Sequence, residues 1–333
     1  MKLVTYLSGS EERLAMLSGD LLYDAADLHS SLPSTMRAFL EGWDDLYPLI
    51  AQSKPGGTGI PVDDALLLAP VPHPVSLRDG YAFRRHVETA RRNRGLDMIP
   101  AFDAFPVFYF GNHTTVQGQG DIHCMPDHFE KLDYELECAI VICRQGTNIP
   151  ATEADRYIGG LMIMNDMSAR TLQMEEMQLS LGPAKGKDFC TVLGPWLVTT
   201  DELEQYETPC KPGHTGRSWN LEMTAAVNGI TLSKGNFADM SWTFAELIER
   251  ASYGATLYPG DVIGSGTVGR GCLLELNGTA RRESPGHKEQ WLQPGDKVAL
   301  EVTGLGKLCN TIIRQPTHWS ILNQKKKHAD TSR

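Results

Sequence analysis

Apolar residues along this chain fall in short runs more often than at helical spacing. The runs ELECAIVIC (135–143), GGLMIMND (159–166), TVLGPWLVTT (191–200), SWNLEMTAAVNGI (218–230), DVIGSGTV (261–268) and DKVALEVTGLGKLCNTII (296–313) read as strands. The first two are apolar on both faces for much of their length, the pattern of strands covered on both sides, as in a sandwich or rolled sheet. Two segments carry the helical pattern: MSARTLQMEEMQLS (167–180), and FAELIERASYG (244–254), which Gly254 would close. Before Leu66 the texture differs, with short extended patterns, an acidic helix-like stretch from Met36 to Ala51 and the turn-rich KPGGTGIPVDD (54–64). The pattern predicts a mainly β fold with some α (α+β): a small N-terminal domain over 1–70, a β-rich catalytic domain over 71–320 and a polar, basic tail over 321–333. No repeat at a fixed period is present.

With 333 residues, 41% of them hydrophobic and 22% charged, the chain can bury a full core. A formal charge of −10 makes its surface repel phosphate backbones, and no basic-aromatic stripe offsets this, so nucleic acid is not an expected partner. No stretch reaches the length of about 18 uninterrupted apolar residues that a membrane span requires, and Met1 opens directly into KLVTYL without a basic leader. A cytoplasmic protein with no membrane partner is the expectation. Seven cysteines with no C-x-x-C pair point to packing residues rather than to a disulfide framework or a zinc knuckle.

The chemistry concentrates in LDYELECAIVIC. Alternation along a strand puts Asp133, Glu135 and Glu137 on one side, followed there by Ala139, Val141 and Cys143. Glu137 adjoins a segment apolar on both faces, and an unpaired interior carboxylate costs several kcal/mol, so something positive should compensate it. Carboxylates two apart on a strand can aim oxygens at one divalent cation; without clustered His or Cys, the hard ions Mg²⁺, Ca²⁺ or Mn²⁺ fit better than zinc. Asp166 ends the next apolar run, before a helix, where a capping role competes with a ligand role.

Five segments, DYELE (133–137), NDMSAR (165–170), KGKDF (185–189) followed by TVLGPW, TLYPGDVIGSGT (256–267) and GLGKLCN (304–310), together resemble the fumarylacetoacetate hydrolase family in order and rough spacing. RDGYAFRRH (78–86) is similar to the stretch that carries the metal Asp, substrate Tyr and catalytic His in fumarylacetoacetase-type members. The resemblance spans about 70 to 313 and implies a mixed β-sandwich roll, a small N-terminal domain and a homodimer. By position it implies Asp79, Glu135, Glu137 and Asp166 as metal ligands, with His86, Glu275 and Lys187 as the catalytic group. It further implies Tyr81, Gln173 and Thr267 as substrate contacts, and one of Arg91, Arg92 and Arg94 as the grip on a substrate carboxylate. Departures at Met167 and Thr171, and one residue inserted between Gln173 and Lys187, fall on the expected pocket rather than on the metal ligands.

The implied activity is hydrolysis of a carbon–carbon bond in a small diketo acid, fumarylacetoacetate or a related acylpyruvate, within aromatic amino acid and tyrosine breakdown. His86 would take a proton from water, Glu275, read as a strand acid, would orient it, and Lys187 would balance charge at the metal. Two alternatives stay open: a metal-dependent lyase, such as an oxaloacetate decarboxylase or sugar-acid dehydratase, and a non-catalytic homologue that only binds metal and ligand. His113, His123 and His128 show no metal-ligand spacing and read as surface or pocket-rim residues. GSGTVGRG (264–271) lacks the ending of a phosphate loop and reads as a pocket-wall turn leading into another strand.

Overall fold

The computed structural model describes residues 1–326, so residues 327–333 of the expected tail lie outside the described part. The N-terminal elements are β1 (Lys2–Ser8), β2 (Glu11–Ser18), β3 (Leu21–Asp24), α1 (Met36–Glu41) and α2 (Trp43–Gln52). The middle of the chain supplies β4 (Leu77–Gly80), α3 (Arg84–Arg92), β5 (Phe108–Gly111), β6 (Gly120–Cys124), β7 (Leu136–Ile142), β8 (Ile158–Asp166), α4 (Arg170–Met177) and β9 (Thr191–Val198). The last third adds β10 (Glu222–Val227), β11 (Ile230–Asn236), α5 (Phe244–Ser252), β12 (Val262–Gly264), α6 (Leu273–Glu283), β13 (Lys297–Val302) and β14 (Gly306–Arg314).

Two sheets organise these elements. The larger runs β3-β2-β1-β9-β8-β7-β12-β4-β5, with short strands at its margins, and the smaller runs β11-β10-β13-β14-β6. Strand alternation decides what each face of the large sheet meets. Leu136, Cys138, Ile140, Leu161 and Ile163 pack in one core with Met223, Ala225, Leu300 and Leu308 of the small sheet. Their neighbours Ala139, Val141, Met162, Met164 and Leu197 pack on the other face against Phe39, Leu40, Trp43 and Ile50 of α1 and α2. β7 and β8 are therefore buried along their whole length, as their two-faced apolar runs require.

The first 70 residues do not stand apart from the sheet. β1 pairs antiparallel with β9, Lys2 opposite Val198 and Leu3 opposite Leu197, so the large sheet is continuous across the expected boundary.

Several expected elements take a different form. The runs 218–230 and 296–313 are each interrupted rather than single strands. Asn228 and Gly229 have φ of 51° and 81°, the left-handed pair that a tight hairpin requires, and they join β10 to β11. The three-residue loop Thr303–Leu305, with Gly304 at φ 77°, turns β13 into β14. Glu275 is on a helix, not a strand: GSGTVGRG leads into α6, whose first N–H groups, at Leu273 and Leu274, donate to Asp133 at 2.7 and 3.0 Å. A buried carboxylate there meets the unpaired donors and positive end of the helix dipole. The acidic stretch after Met36 forms two short helices broken at Gly42. His128 is buried, with its ring 4.1 Å from that of Phe189, and burial pushes its pKa down to about 4; it is not a surface residue. His113 and His123 are exposed as expected. Among the described residues no helix is long and apolar enough to cross a membrane.

Candidate active site

Register brings the acids together. Asp79 on β4 pairs with Gly264 on β12, which pairs with Ala139 on β7, while Glu137 on β7 pairs with Met164 on β8, two residues before Asp166. Three strands of the large sheet, β7 and β8 side by side and β4 beyond β12, together with the residues just before β7, thus deliver Asp79, Glu137, Asp166 and Glu135 to one end of it. One oxygen from each of the four lies within 4.8 Å of the others, and all four residues are buried. Gly264 permits the approach: a Cβ there would lie 2.5 Å from Asp79 Oδ1 and 2.7 Å from Met164 Cε.

The surrounding donors are few for so much negative charge. Lys187 Nζ donates to Asp166 Oδ2 at 2.5 Å and also to Glu135 Oε2. Arg170 bridges Asp133 (2.9 Å) and Glu135 Oε1 (2.8 Å) and reaches Gln173 at 2.9 Å. Tyr109 donates its hydroxyl to Asp166, Gly266 N–H to Asp79 Oδ1 at 3.0 Å, and Thr267 to Glu137 Oε1 at 3.2 Å. Glu137 Oε2 is buried with no hydrogen-bond partner among the described residues. Five buried carboxylates, with Asp133 included, face the two cations Lys187 and Arg170, leaving three negative charges unmatched.

That imbalance shows in the acidities. Burial, with Asp79, Glu135 and Asp166 alongside, raises Glu137 well above the ordinary carboxylate range. Burial and Asp166 likewise push Asp79 up. Burial acts in the same sense on Glu135, but Lys187 and Arg170 outweigh it and hold this carboxyl below its usual range. An all-oxygen donor set with an orphaned carboxylate oxygen and excess negative charge fits a hard divalent cation, and Asp79, Glu135, Glu137 and Asp166 could hold it.

Across the same cavity lies a second constellation. His86 on α3 is 7% exposed, and its Nδ1 sits 2.6 Å from Glu275 Oε2 on α6. Glu275 Oε2 also accepts from Arg270 N–H at 3.0 Å, which fixes the carboxylate that orients the ring. Burial disfavours the imidazolium, yet Glu275 overcomes it and raises the His86 pKa. Glu275 cannot serve as a remote strand acid would; the first turn of α6 aims it at His86.

The cavity, about 680 Å³, is lined by Asp79, Tyr81, His86, Glu135, Gln173, Lys187 and Thr267, whereas Glu137, Asp166 and Glu275 do not line it and meet it through their contacts with Thr267, Lys187 and His86. Of the three candidate arginines only Arg94 lines it; Arg91 donates to the backbone carbonyl of Asp97. Asp133, expected beside Glu135 and Glu137, is turned away by the break at Tyr134–Glu135 and engages Arg170 and α6 instead. Met167 is fully buried in the main core and does not line the cavity, nor does Thr171, whereas the segment holding the inserted residue supplies Ser180, Leu181, Gly182 and Pro183 to its wall. Sequence reasoning assigned no role to Tyr109 or Arg170. Arg170 carried a signal, since it closes the NDMSAR segment; Tyr109 lay in FPVFYFG with nothing to separate it from its aromatic neighbours.

A family model described as fumarylacetoacetate (FAA) hydrolase C-terminal matches residues 76–313. The chain is 30% identical over 311 residues to maleylpyruvate hydrolase of Aquipseudomonas alcaligenes, covering 90% of this chain and 96% of that protein. It is 32% identical over 210 residues to oxaloacetate tautomerase YisK of Bacillus subtilis (strain 168), covering 62% of this chain. It is 34% identical over 212 residues to fumarylacetoacetase of Arabidopsis thaliana, covering 55% of this chain. The matched part spans 61% of the tautomerase and 50% of the plant enzyme. The fold superposes on maleylpyruvate hydrolase from Sphingobium sp. SYK-6 in complex with manganese (II) ion and pyruvate, with TM-score 0.68, 20% identity, and 94% of this chain and 99% of that one covered.

Proposed function

We propose, for a chain that belongs to the fumarylacetoacetate hydrolase family, that it is a divalent-cation-dependent hydrolase cleaving the carbon–carbon bond of a small diketo acid, fumarylacetoacetate or a related acylpyruvate. One observation carries the reading. A single cavity is lined by Asp79 and Glu135, two members of a four-carboxylate cluster short of positive charge, and by a buried histidine held by a glutamate. Asp79, Glu135, Glu137 and Asp166 would hold Mg²⁺, Ca²⁺ or Mn²⁺. When bound, such an ion supplies positive charge beside the diketo oxygens, where negative charge develops as the bond breaks.

The chain's own groups account for the proton traffic. His86 Nε2, opposite the Nδ1 held by Glu275, takes a proton from water, and the hydroxide adds to the carbonyl carbon of the acyl half. The carbon–carbon bond then breaks with its electron pair passing to the departing keto-acid half, acetoacetate from fumarylacetoacetate or pyruvate from an acylpyruvate, as an enolate, which Lys187 meets with a charge-assisted hydrogen bond. The proton on His86 goes to the enolate carbon, leaving a carboxylic acid and a keto acid and restoring the neutral imidazole. Tyr81, Gln173, Thr267 and Arg94 line the cavity as substrate contacts.

A second reading has a specific observation behind it, the similarity to a protein named as an oxaloacetate tautomerase. His86 would then move a proton between carbon and oxygen with no carbon–carbon bond broken. A panel of acylpyruvates and fumarylacetoacetate, incubated with the protein and Mg²⁺, should lose the diketo chromophore and yield two acids by chromatography. An intact panel alongside accelerated keto–enol exchange of oxaloacetate would replace the first reading by the second. The proposed setting is the cytoplasm, in aromatic amino acid breakdown, with the protein as a homodimer.

A further inference from the structure

Of the seven cysteines, five are buried, and four of these, Cys124, Cys138, Cys143 and Cys190, sit within the hydrophobic cores as small apolar packing residues do. Cys272 is fully buried as well, yet it belongs to none of the cores among the described residues. It faces the His86–Glu275 pair instead. Cys272 stands at the N-cap of α6, one turn before Glu275, and its thiol donates to Glu275 Oε2 at 3.8 Å. His86 Nδ1 meets the same oxygen from α3 at 2.6 Å. One ligand atom from each of His86, Cys272 and Glu275 lies within 4.8 Å of the other two, and all three residues are buried. The second carboxylate oxygen, Glu275 Oε1, is buried with no hydrogen-bond partner among the described residues.

A thiol, an imidazole and a carboxylate make a donor set unlike the four carboxylates. Sulfur and nitrogen select a softer ion than Mg²⁺, and three protein ligands with a fourth position left for water is an arrangement that suits Zn²⁺. The spacing is close to what that ion needs. With Zn–S about 2.3 Å and Zn–O about 2.0 Å, tetrahedral angles put sulfur and oxygen about 3.5 Å apart, against 3.8 Å here. The ring nitrogen and the oxygen need about 3.3 Å between them, so His86 and Glu275 part slightly from 2.6 Å as the ion takes the place of the proton they share. A thiolate and a carboxylate together neutralise the two positive charges of the ion, and His86 lines the cavity, which gives the ion its way in.

We propose that His86, Cys272 and Glu275 form a second metal site, selective for Zn²⁺ over Mg²⁺, whose occupation switches His86 off as a base. Cys272 binds as the thiolate, its proton leaving to solvent. With the ion on Nδ1, the one proton of the neutral imidazole stays on Nε2, the atom that has to be free to accept a proton from water. Binding at this site stands apart from the hydrolytic reading above, and only the loss of turnover rests on it.

The test uses the protein loaded with Mg²⁺, with Co²⁺ as the spectroscopic stand-in for Zn²⁺. Co²⁺ should produce a sulfur-to-metal charge-transfer band in the near ultraviolet, which oxygen ligands do not give, and Zn²⁺ should abolish it by displacement. The band should vanish in Cys272→Ser and Cys272→Ala and persist in Cys309→Ser, which removes the exposed thiol. By calorimetry in excess Mg²⁺, Zn²⁺ should bind the parent about tenfold or more tighter than Cys272→Ser, and the same Zn²⁺ should stop turnover of the parent. Crystals holding both ions should show a zinc anomalous peak among His86, Cys272 and Glu275, a readout that needs no variant. Absence of the band, a band that survives both Cys272 substitutions, or a zinc peak confined to the four carboxylates overturns the proposal. The band and the peak in a protein that cleaves no diketo acid uphold the site and sink the hydrolytic reading instead.

Discussion

At the scale of single residues, the site is defined by imbalance. Glu137 carries a buried oxygen that meets no donor among the described residues, in a neighbourhood where carboxylates outnumber cations. Glu137→Gln removes one charge and keeps the volume; it should weaken Mg²⁺ binding by tenfold or more, on the order of 1.4 kcal/mol, by calorimetry, while leaving the metal-free fold at least as stable as the parent. His86 and Glu275 give a prediction in pH. A general base works as neutral imidazole, so kcat/KM should fall on the acid side as pH drops through the His86 pKa, which Glu275 holds above the ordinary 6.5. In Glu275→Gln that support is gone and burial dominates; the acid limb should move to lower pH while kcat drops, and an unmoved limb would deny His86 the role. That the four acids and His86 gather at one end of the sheet was legible in the sequence because each lies in a short, ordered segment with distinctive neighbours. Tyr109 was not, because its contact with Asp166 arises only when β5 is laid against β4, Tyr109 opposite Asp79.

At the scale of elements, the site is a consequence of register. Slipping β12 against β4 by one residue would turn Asp79 away from the cluster, because side-chain faces alternate along a strand. Gly264 is the point where that register is most confined, since a methyl group would overlap both Asp79 and Met164. Gly264→Ala should therefore cost about 1–3 kcal/mol of stability from overpacking, read as a lowered melting temperature, and should lose Mg²⁺ affinity as Asp79 is displaced. A variant that kept full affinity would show that Asp79 is not a ligand. The two-faced burial of β7 and β8 could be read from their unbroken apolar runs. The helix carrying Glu275 could not: CLLEL suits a strand as well as a helix, and what decides is Asp133, distant in sequence, accepting the first N–H groups of α6. The hairpin at Asn228–Gly229 was present as an Asn-Gly pair within a longer apolar run, where the turn signal should have outweighed the hydrophobic continuity.

At the scale of the whole molecule, β1 to β3 extend the sheet that holds the site, and α1 and α2 cover the face on which Ala139, Val141, Met162 and Met164 lie. The pairing of Lys2 with Val198 links residues too far apart for any local pattern to show, which is why the first 70 residues read as a separate module. Phe39→Ala should cost about 3–5 kcal/mol, since Phe39 is fully buried against that face, and should destabilise the whole chain in one cooperative melt rather than release an N-terminal piece. The proposed metal would act at this scale too. A ligand at about one hundred times its dissociation constant stabilises a fold by roughly 2.7 kcal/mol, so Mg²⁺ should raise the melting temperature by a few degrees and a chelator should reverse it. The central claim is that acids from separate strands chelate one hard cation. Its most direct test is a crystal grown with Mn²⁺ and examined by anomalous scattering. The account predicts one peak in direct contact with Asp79, Glu135, Glu137 and Asp166; a cluster without a peak, or a peak that Glu137 and Asp79 do not touch, would contradict it.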